Sequence, residues 1–216
     1  MPHKSDLEKW NDAMYVAHPT PYQNKVAGII ERARARIIKE LAMVKKSDDL
    51  IEIGCEQGVL LDYLPDCRKK VGLDISEVAL KDAKRRLDGR ARFLKADAEK
   101  PIKLPANSFS VLVCSQTLEH VKNPEAIMSN MKRLSKKNAR IVISVPNELF
   151  MLRIKTIFKK LGILQWLFPG IEEGVSEWHL QVFTDKKVKE LVEDDFEIVA
   201  HRRAFNIYLI YLLRKK

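Results

Sequence analysis

IEIGCEQG, residues Ile51 to Gly58, carries a short apolar run straight into a glycine-bearing turn, and its reading decides the fold. Leu50 to Gly54 reads as a short buried strand, and Val59 to Leu64 as the helix that follows the turn. The same unit repeats downstream: a strand over Lys70 to Asp74, then a helix over Glu77 to Leu87 with Ser76 as its N-cap. Arg92 to Ala96 and Ser110 to Cys114 are further strands. Asn123 and Pro124 start a helix that ends near Leu134, and Arg140 to Val145 is a continuous strand run. Upstream, apolar residues from Val26 to Leu41 recur at three-and-four spacing, which predicts a one-sided helix within Gln23 to Lys46. Strands alternating with helices imply an α/β fold with a parallel sheet and right-handed crossovers.

Past Pro146 the alternation lapses for about thirty residues, longer than an ordinary strand-to-helix connection. This is a helical insertion, which Gly162 is expected to divide in two. Alternation resumes with a helix over Asp185 to Glu193 capped by Thr184, then strands over Phe196 to Arg202 and Asn206 to Leu213. So few residues separate these two strands that they must pair as an antiparallel hairpin. The 216 residues suit one domain. Its parts are an N-terminal segment and helix (1–46), a core (47–147), the insertion (148–180) and a closing helix and hairpin (181–216).

Composition narrows the class of function. The three cysteines, Cys55, Cys67 and Cys114, show neither C-x-x-C spacing nor neighbouring histidines, so a reduced cytosolic protein without a zinc site is expected. The first residues carry charges where a signal peptide needs an apolar stretch, and the longest apolar run, Ile207 to Leu213, is far too short to span a membrane. A net charge of +10 favours an anionic partner, but much of the excess lies in KDAKRRL and MKRLSKK, where it reads as solvated helix surface.

Function is written at the strand ends. Glu52, Gly54 and Gly58 fall at the carboxyl end of the first strand, where open α/β sheets bind ligands. Gly54 would allow a sharp turn close to a ligand, and Gly58 a close approach between the next helix and the strand. Twenty residues beyond Gly54, Asp74 ends the second strand in GLDIS, placed to accept from the two hydroxyls of a ribose. Asp97, in FLKADAE, follows the third strand, where its carboxylate could accept from an adenine amino group while Ala98 offers a backbone N–H. Each acid has a plain structural reading as a cap, a turn or a surface charge. Their recurrence at three successive strand ends is what favours a nucleoside cofactor.

With IEIGCEQG, GLDIS, the acid of KADAE, LPANSFSVLVCSQTLEHVKNP, IVISVPN and HLQVFT, the chain resembles the class I S-adenosylmethionine-dependent methyltransferases. Within them it is most similar to the small-molecule branch that includes ubiquinone- and menaquinone-type enzymes. The resemblance implies a Rossmann-like, doubly wound, seven-stranded sheet with the last strand antiparallel, and S-adenosyl-L-methionine lying across the strand ends. By position, Glu52, Gly54 and Gly58 would line the methionine part, Asp74 with Ile75 the ribose, Asp97 and Ala98 the adenine, and Ser115 the wall beside the sulfonium. Glu56 stands where the family usually has a second glycine. It would either crowd the methionine end or turn its carboxylate toward the ligand's positive charge. A dinucleotide dehydrogenase is the nearest rival, but Glu56 and Val59 occupy two of the glycine places of G-x-G-x-x-G. A silent member that binds cofactor without turnover is a second.

Methyl transfer is an in-line displacement that asks for positioning and, for some acceptors, removal of a proton; no metal is expected. His120 in SQTLEHV and His179 at the end of the insertion are the candidate bases, and a purely positional role is the alternative for each. CSQT stands where amine-methylating nucleic-acid enzymes carry an N/D-P-P-Y tetrad, so a nucleic-acid acceptor is disfavoured and a small molecule, lipid or glycan is expected. Met14 to Tyr22, with Tyr15, His18 and Tyr22, would make either a lid over the cofactor or a surface strap. Residues 149–168 mix apolar and aromatic side chains with Arg153, Lys155, Lys159 and Lys160. That pattern suits peripheral contact with a membrane, or else a helical cap over the domain's own core.

Overall fold

The computed structural model describes residues 6, 8–9, 11–13, 25–167, 174 and 179–216. Seven strands form one sheet in the order β3-β2-β1-β4-β5-β7-β6. They are β1 (Asp49–Ile53), β2 (Lys69–Asp74), β3 (Arg92–Lys95), β4 (Phe109–Ser115), β5 (Ser135–Pro146), β6 (Phe196–Ala204) and β7 (Tyr208–Lys215). Strands β1 to β5 run parallel, whereas β7 pairs antiparallel with both β5 and β6. The expected doubly wound sheet with an antiparallel last strand is therefore present. The hairpin lies outside β5, with β6 as the edge.

The helices are α1 (Lys25–Ala42), α2 (Val59–Tyr63), α3 (Glu77–Leu87), α4 (Pro124–Leu134), α5 (Glu148–Lys160), α6 (Leu164–Leu167) and α7 (Asp185–Val192). Their starts follow the sequence signals. The Ser76 side chain accepts from the Ala79 N–H, Asn123 from Ala126 and Thr184 from Lys187. Each such cap is worth about 1 kcal/mol because it pairs a helix N–H that has no partner within the helix. Helix α1 stops at Ala42, short of the expected Lys46, because Met43 takes a positive φ of 44°. Strand β5 begins at Ser135, five residues before the apolar run that marks it in the sequence. Its polar first half pairs at Phe109↔Ser135 before the register shifts. Gly162, at φ 70°, does separate the two helices of the insertion.

Side-chain alternation splits the core between the faces of the sheet and thereby places the site. Ile51, Ile53, Leu112 and Cys114 pack on one face with residues of α4 and α7. Leu50, Val111 and Val113 pack on the other with α1, α2 and the end of α3. Since side chains two apart share a face, Glu52 follows Leu50, and Ser115 follows Val113, onto the α1 face. Both are buried. There they meet α1, whose inner face carries Glu31 and Arg34 one turn before Ala35 and Ile38.

Candidate active site

The parallel strands end along one cleft of about 690 Å³, lined among others by Gly54, Asp74, Ile75, Asp97, Ala98 and His120. Of the residues named from the sequence, Glu52 and Ser115 line an adjoining pocket instead, and Gly58 lines neither. Asp74 is 8% exposed, and its two oxygens accept the backbone N–H groups of Ser76 (2.9 Å) and Glu56 (2.8 Å). It therefore ties the β1 turn to the β2 turn. Burial pushes its carboxyl up, and those backbone N–H bonds oppose the rise. Asp97 holds its own turn by accepting from the Glu99 N–H (2.9 Å) and pairs with Lys100. The turn-forming reading of Asp97 is thus realised, and its place in the cleft is kept.

The positive φ of Gly54 makes the expected sharp turn, and the surroundings of both glycines show which groups fill the space a side chain would need. A Cβ at Gly54 (φ 74°) would lie 2.0 Å from Thr117 Oγ1, so the glycine makes room for the Thr117 side chain. A Cβ at Gly58 (φ 71°) would meet Leu87 at 2.8 Å and Ala83 at 3.2 Å, so its close approach is to α3, not to β1. Glu56 adopts a positive φ of 44°, the backbone that explains why a glycine is usual there.

A second pocket of about 480 Å³ adjoins the first at Gly54, Glu56 and Gln116. Arg34 is its one cation among the described lining residues, beside Glu31, Glu52 and Glu56. Arg34 donates to Ser115 Oγ (2.5 Å) and pairs with Glu31, which also accepts from the Tyr208 hydroxyl. Glu52 is 2% exposed, and its Oε2 has no hydrogen-bond partner among the described residues. Burial, against the pull of Arg34 and with repulsion from Glu56 and Asp74, raises its carboxyl well above the ordinary range. Desolvation and then Asp74 lift Glu56 to about 7. Its side chain faces the open cleft, where Asp74 repels its charged form. Sequence reasoning missed Arg34 and Glu31, which sit on a helix remote from every strand-end motif.

The described N-terminal residues reach the rim. Asn11 lines the cleft, Ser76 donates to Asp12, and Glu8 pairs with Lys95 at 2.6 Å. The expected lid, with Tyr15, His18 and Tyr22, lies outside the described residues, as does Phe168.

At the other side of the cleft, a turn of 3-10 helix after β4 (Leu118–His120) carries Glu119 and His120. The Glu119 carbonyl accepts from the Leu180 (2.7 Å) and Gln181 (3.1 Å) N–H groups, which latches the end of the insertion to this turn. His179 consequently lies edge-on to His120, with ring centroids 5.0 Å apart, and its Nδ1 meets Glu148. Burial lowers the His179 imidazole, but Glu148 and Glu119 outweigh it and the net displacement is upward. Burial raises Glu119 to about 7, against the pull of His179.

A sequence model of the family described as a methyltransferase domain matches residues 22–208. The mitochondrial ubiquinone biosynthesis O-methyltransferase of Schizosaccharomyces pombe is 29% identical over 115 residues, covering 50% of this chain and 41% of that protein. The ubiquinone biosynthesis O-methyltransferase of Hahella chejuensis is 24% identical over 180 residues, covering 81% and 73%. Among solved structures, the N-methyltransferase NodS of Bradyrhizobium japonicum, in complex with S-adenosyl-L-homocysteine, has the same fold. Its TM-score is 0.69 at 16% identity, over 97% of this chain and 99% of that one. The chain thus spans less than half the length of the first of these relatives.

Proposed function

Because the chain belongs to the methyltransferase-domain family, we propose that it is an S-adenosylmethionine-dependent enzyme that methylates a small-molecule acceptor. The observation that carries this is the set of three acids, Glu52, Asp74 and Asp97, at the ends of adjacent parallel strands along one connected cleft. The residues fit the cofactor. Each Asp74 oxygen already takes one backbone N–H, yet a carboxylate offers about four lone-pair sites, enough for two ribose hydroxyls as well. Ile75, Asp97 and Ala98 form the adenosine end. Glu31, Glu52 and Glu56 around a single arginine give the methionine end an excess of negative charge. That excess suits a ligand carrying an ammonium and a sulfonium, with Arg34 and Ser115 on the wall beside them.

When bound, S-adenosylmethionine supplies a methyl group activated on sulfur. The chain's own part is to hold the acceptor in line with it and exclude water. In this reading His120, on the cleft wall, and His179, edge-on to it and braced by Glu148, are the candidates to take up a proton leaving the acceptor. A thermal shift assay tests the reading: S-adenosylmethionine and S-adenosylhomocysteine should raise the melting temperature and NAD should not. A shift with NAD alone would replace the methyltransferase by a dehydrogenase.

For the acceptor, we propose a lipid-like molecule collected at a membrane surface. An apolar pocket of about 800 Å³ lies between α1 and α5, lined by Ile30, Phe150, Met151, Ile154 and Phe158. Glu31 lines both this pocket and the methionine end, so the two lie next to each other across α1. The outer side of the insertion exposes Leu149, Ile157, Leu161 and, at 79%, Trp166, interspersed with Arg153, Lys159 and Lys160. Apolar side chains among lysines and arginines are how a helix rests on anionic lipid. No helix of the described residues is long and apolar enough to cross a membrane. Sedimentation with anionic vesicles at low salt should retain the protein, and salt or replacement of Leu161 and Trp166 by alanine should release it. Failure of both anionic and neutral vesicles to retain it would remove the membrane and leave the α5 face as an ordinary cap.

A further inference from the structure

The two parts of the cleft meet at Gly54, Glu56 and Gln116, and of these three Glu56 alone carries a charge. Asp74 and Asp97 line the part on one side of this junction, and Glu31, Arg34 and Glu52 the part on the other. In S-adenosylmethionine the sulfur is the atom that joins the adenosyl half to the methionine half. A cofactor spread over both parts therefore carries its sulfonium across the junction. Around Glu56 the protein supplies charge of the same sign: Asp74, which accepts the Glu56 N–H at 2.8 Å, and Glu31 on α1 both repel its carboxylate. The cation that acts on it, Arg34, is committed to Glu31 and to Ser115 Oγ. Keeping a side chain here is costly, since φ 44° lies in the left-handed region that glycine enters freely and glutamate does not. Strain of this kind persists where function uses it.

We propose that Glu56 sets the ligand preference of the site by charge, its carboxylate favouring the sulfonium of S-adenosylmethionine over the neutral thioether of S-adenosylhomocysteine. This role rests on the methyl-transfer reading. Breaking the S–CH3 bond leaves the bonding pair on sulfur, so the cation becomes neutral while the adenosyl and methionine parts are unchanged. Asp74 and Asp97 face groups that the two forms share, and a charge at the junction is what tells them apart. After transfer Glu56 is left facing Asp74 and Glu31 with no cation beside it, which loosens the spent cofactor and favours its exchange. Desolvation and Asp74, against Arg34, place the carboxyl at about 7 in the free protein. Below that it is neutral and the preference is lost; above it the charge and the preference are present. Of the neighbours on β1 and its turn, burial raises Glu52 and keeps the Cys55 thiol neutral.

Calorimetry on the wild type, Glu56→Gln and Glu56→Gly tests this with S-adenosylmethionine, S-adenosylhomocysteine and sinefungin, whose protonated amine puts a positive charge at the sulfonium position. Glutamine keeps the size of the side chain and removes its charge. Glycine also relieves the backbone, so it keeps the test readable if glutamine disturbs the turn. In both variants the affinity ratio of S-adenosylmethionine to S-adenosylhomocysteine should fall by about fivefold, the effect of one ion pair at the open edge of a site. Sinefungin should follow S-adenosylmethionine. The wild-type ratio, relative to that of Glu56→Gln, should grow as pH rises through about 7. An unchanged ratio in folded Glu56→Gln overturns the proposal, even if Glu56→Gly alters it, because the side chain then acts by its bulk. Wild-type protein that binds neither ligand overturns the cofactor reading and this role with it, whereas binding of both with a ratio indifferent to the substitutions overturns this role alone.

Discussion

Asp74→Asn is expected to weaken S-adenosylmethionine binding at least about tenfold while leaving the protein folded. A hydrogen bond to a charged group contributes about 1.5–3 kcal/mol, and a tenfold change in affinity corresponds to 1.4 kcal/mol. Asparagine keeps one acceptor oxygen where aspartate has two, so either a ribose hydroxyl or one of the two turn N–H groups must lose its charged partner. Alanine is the less informative change. It strips acceptors from the Ser76 and Glu56 N–H groups together, at about 1–3 kcal/mol for each that stays buried, and mixes lost binding with lost structure. Calorimetry on the asparagine variant separates the two, with a urea melt beside it. Unchanged affinity with lowered stability would reduce Asp74 to a clamp between the β1 and β2 turns.

How much of this was legible beforehand depends on whether a feature is local. Strand ends, caps and the hairpin are set by periodicity and by residues a few positions apart, so β1, the Ser76 cap and the order of elements were readable from the chain. The acids of the cleft were readable for the same reason, because each lies within two residues of the end of its own strand. Arg34 and Glu31 were not. They lie on α1 with nothing in their neighbourhood to mark them, and they reach the site only because Glu52 and Ser115 share the sheet face that α1 covers. His120 and His179 could be singled out individually, but their meeting depends on backbone bonds between the 3-10 turn and the end of the insertion. The glycines show a third kind of limit. Sequence marks Gly54 and Gly58 as positions without room for a side chain, and only the fold says that Thr117 and α3 occupy that room.

That occupancy sets the largest stability effect expected from a single methyl group. In Gly54→Ala the new Cβ would lie 2.0 Å from Thr117 Oγ1 and 2.6 Å from its Cγ2, on a backbone held at φ 74°. The left-handed conformation costs an alanine roughly 1–2 kcal/mol, and forcing a methyl into a filled site a further 1–3 kcal/mol or so. Their sum is a large part of the roughly 5–15 kcal/mol that holds a domain together. The two contributions separate in a double-mutant cycle. Thr117→Ala removes the two closest atoms and keeps the Thr117 Cβ, 2.9 Å away. In that background Gly54→Ala should therefore cost clearly less, leaving the backbone contribution and the smaller shift that a 2.9 Å contact still demands. Urea denaturation of the four proteins measures this directly, since residues in contact depart from additivity by about 0.5–3 kcal/mol. Thr117 also donates to the carbonyls of Ile53 and Ser115, both at 3.3 Å, so its hydroxyl joins the end of β1 to the end of β4 beneath the cleft. A Cβ at Gly54 must push that hydroxyl aside or move the turn. Movement of the turn shifts the Glu56 N–H that Asp74 holds, and cofactor affinity should then fall together with stability and recover with it in the double variant. Additive stabilities would show that Thr117 yields freely and that Gly54 is required by its backbone conformation alone.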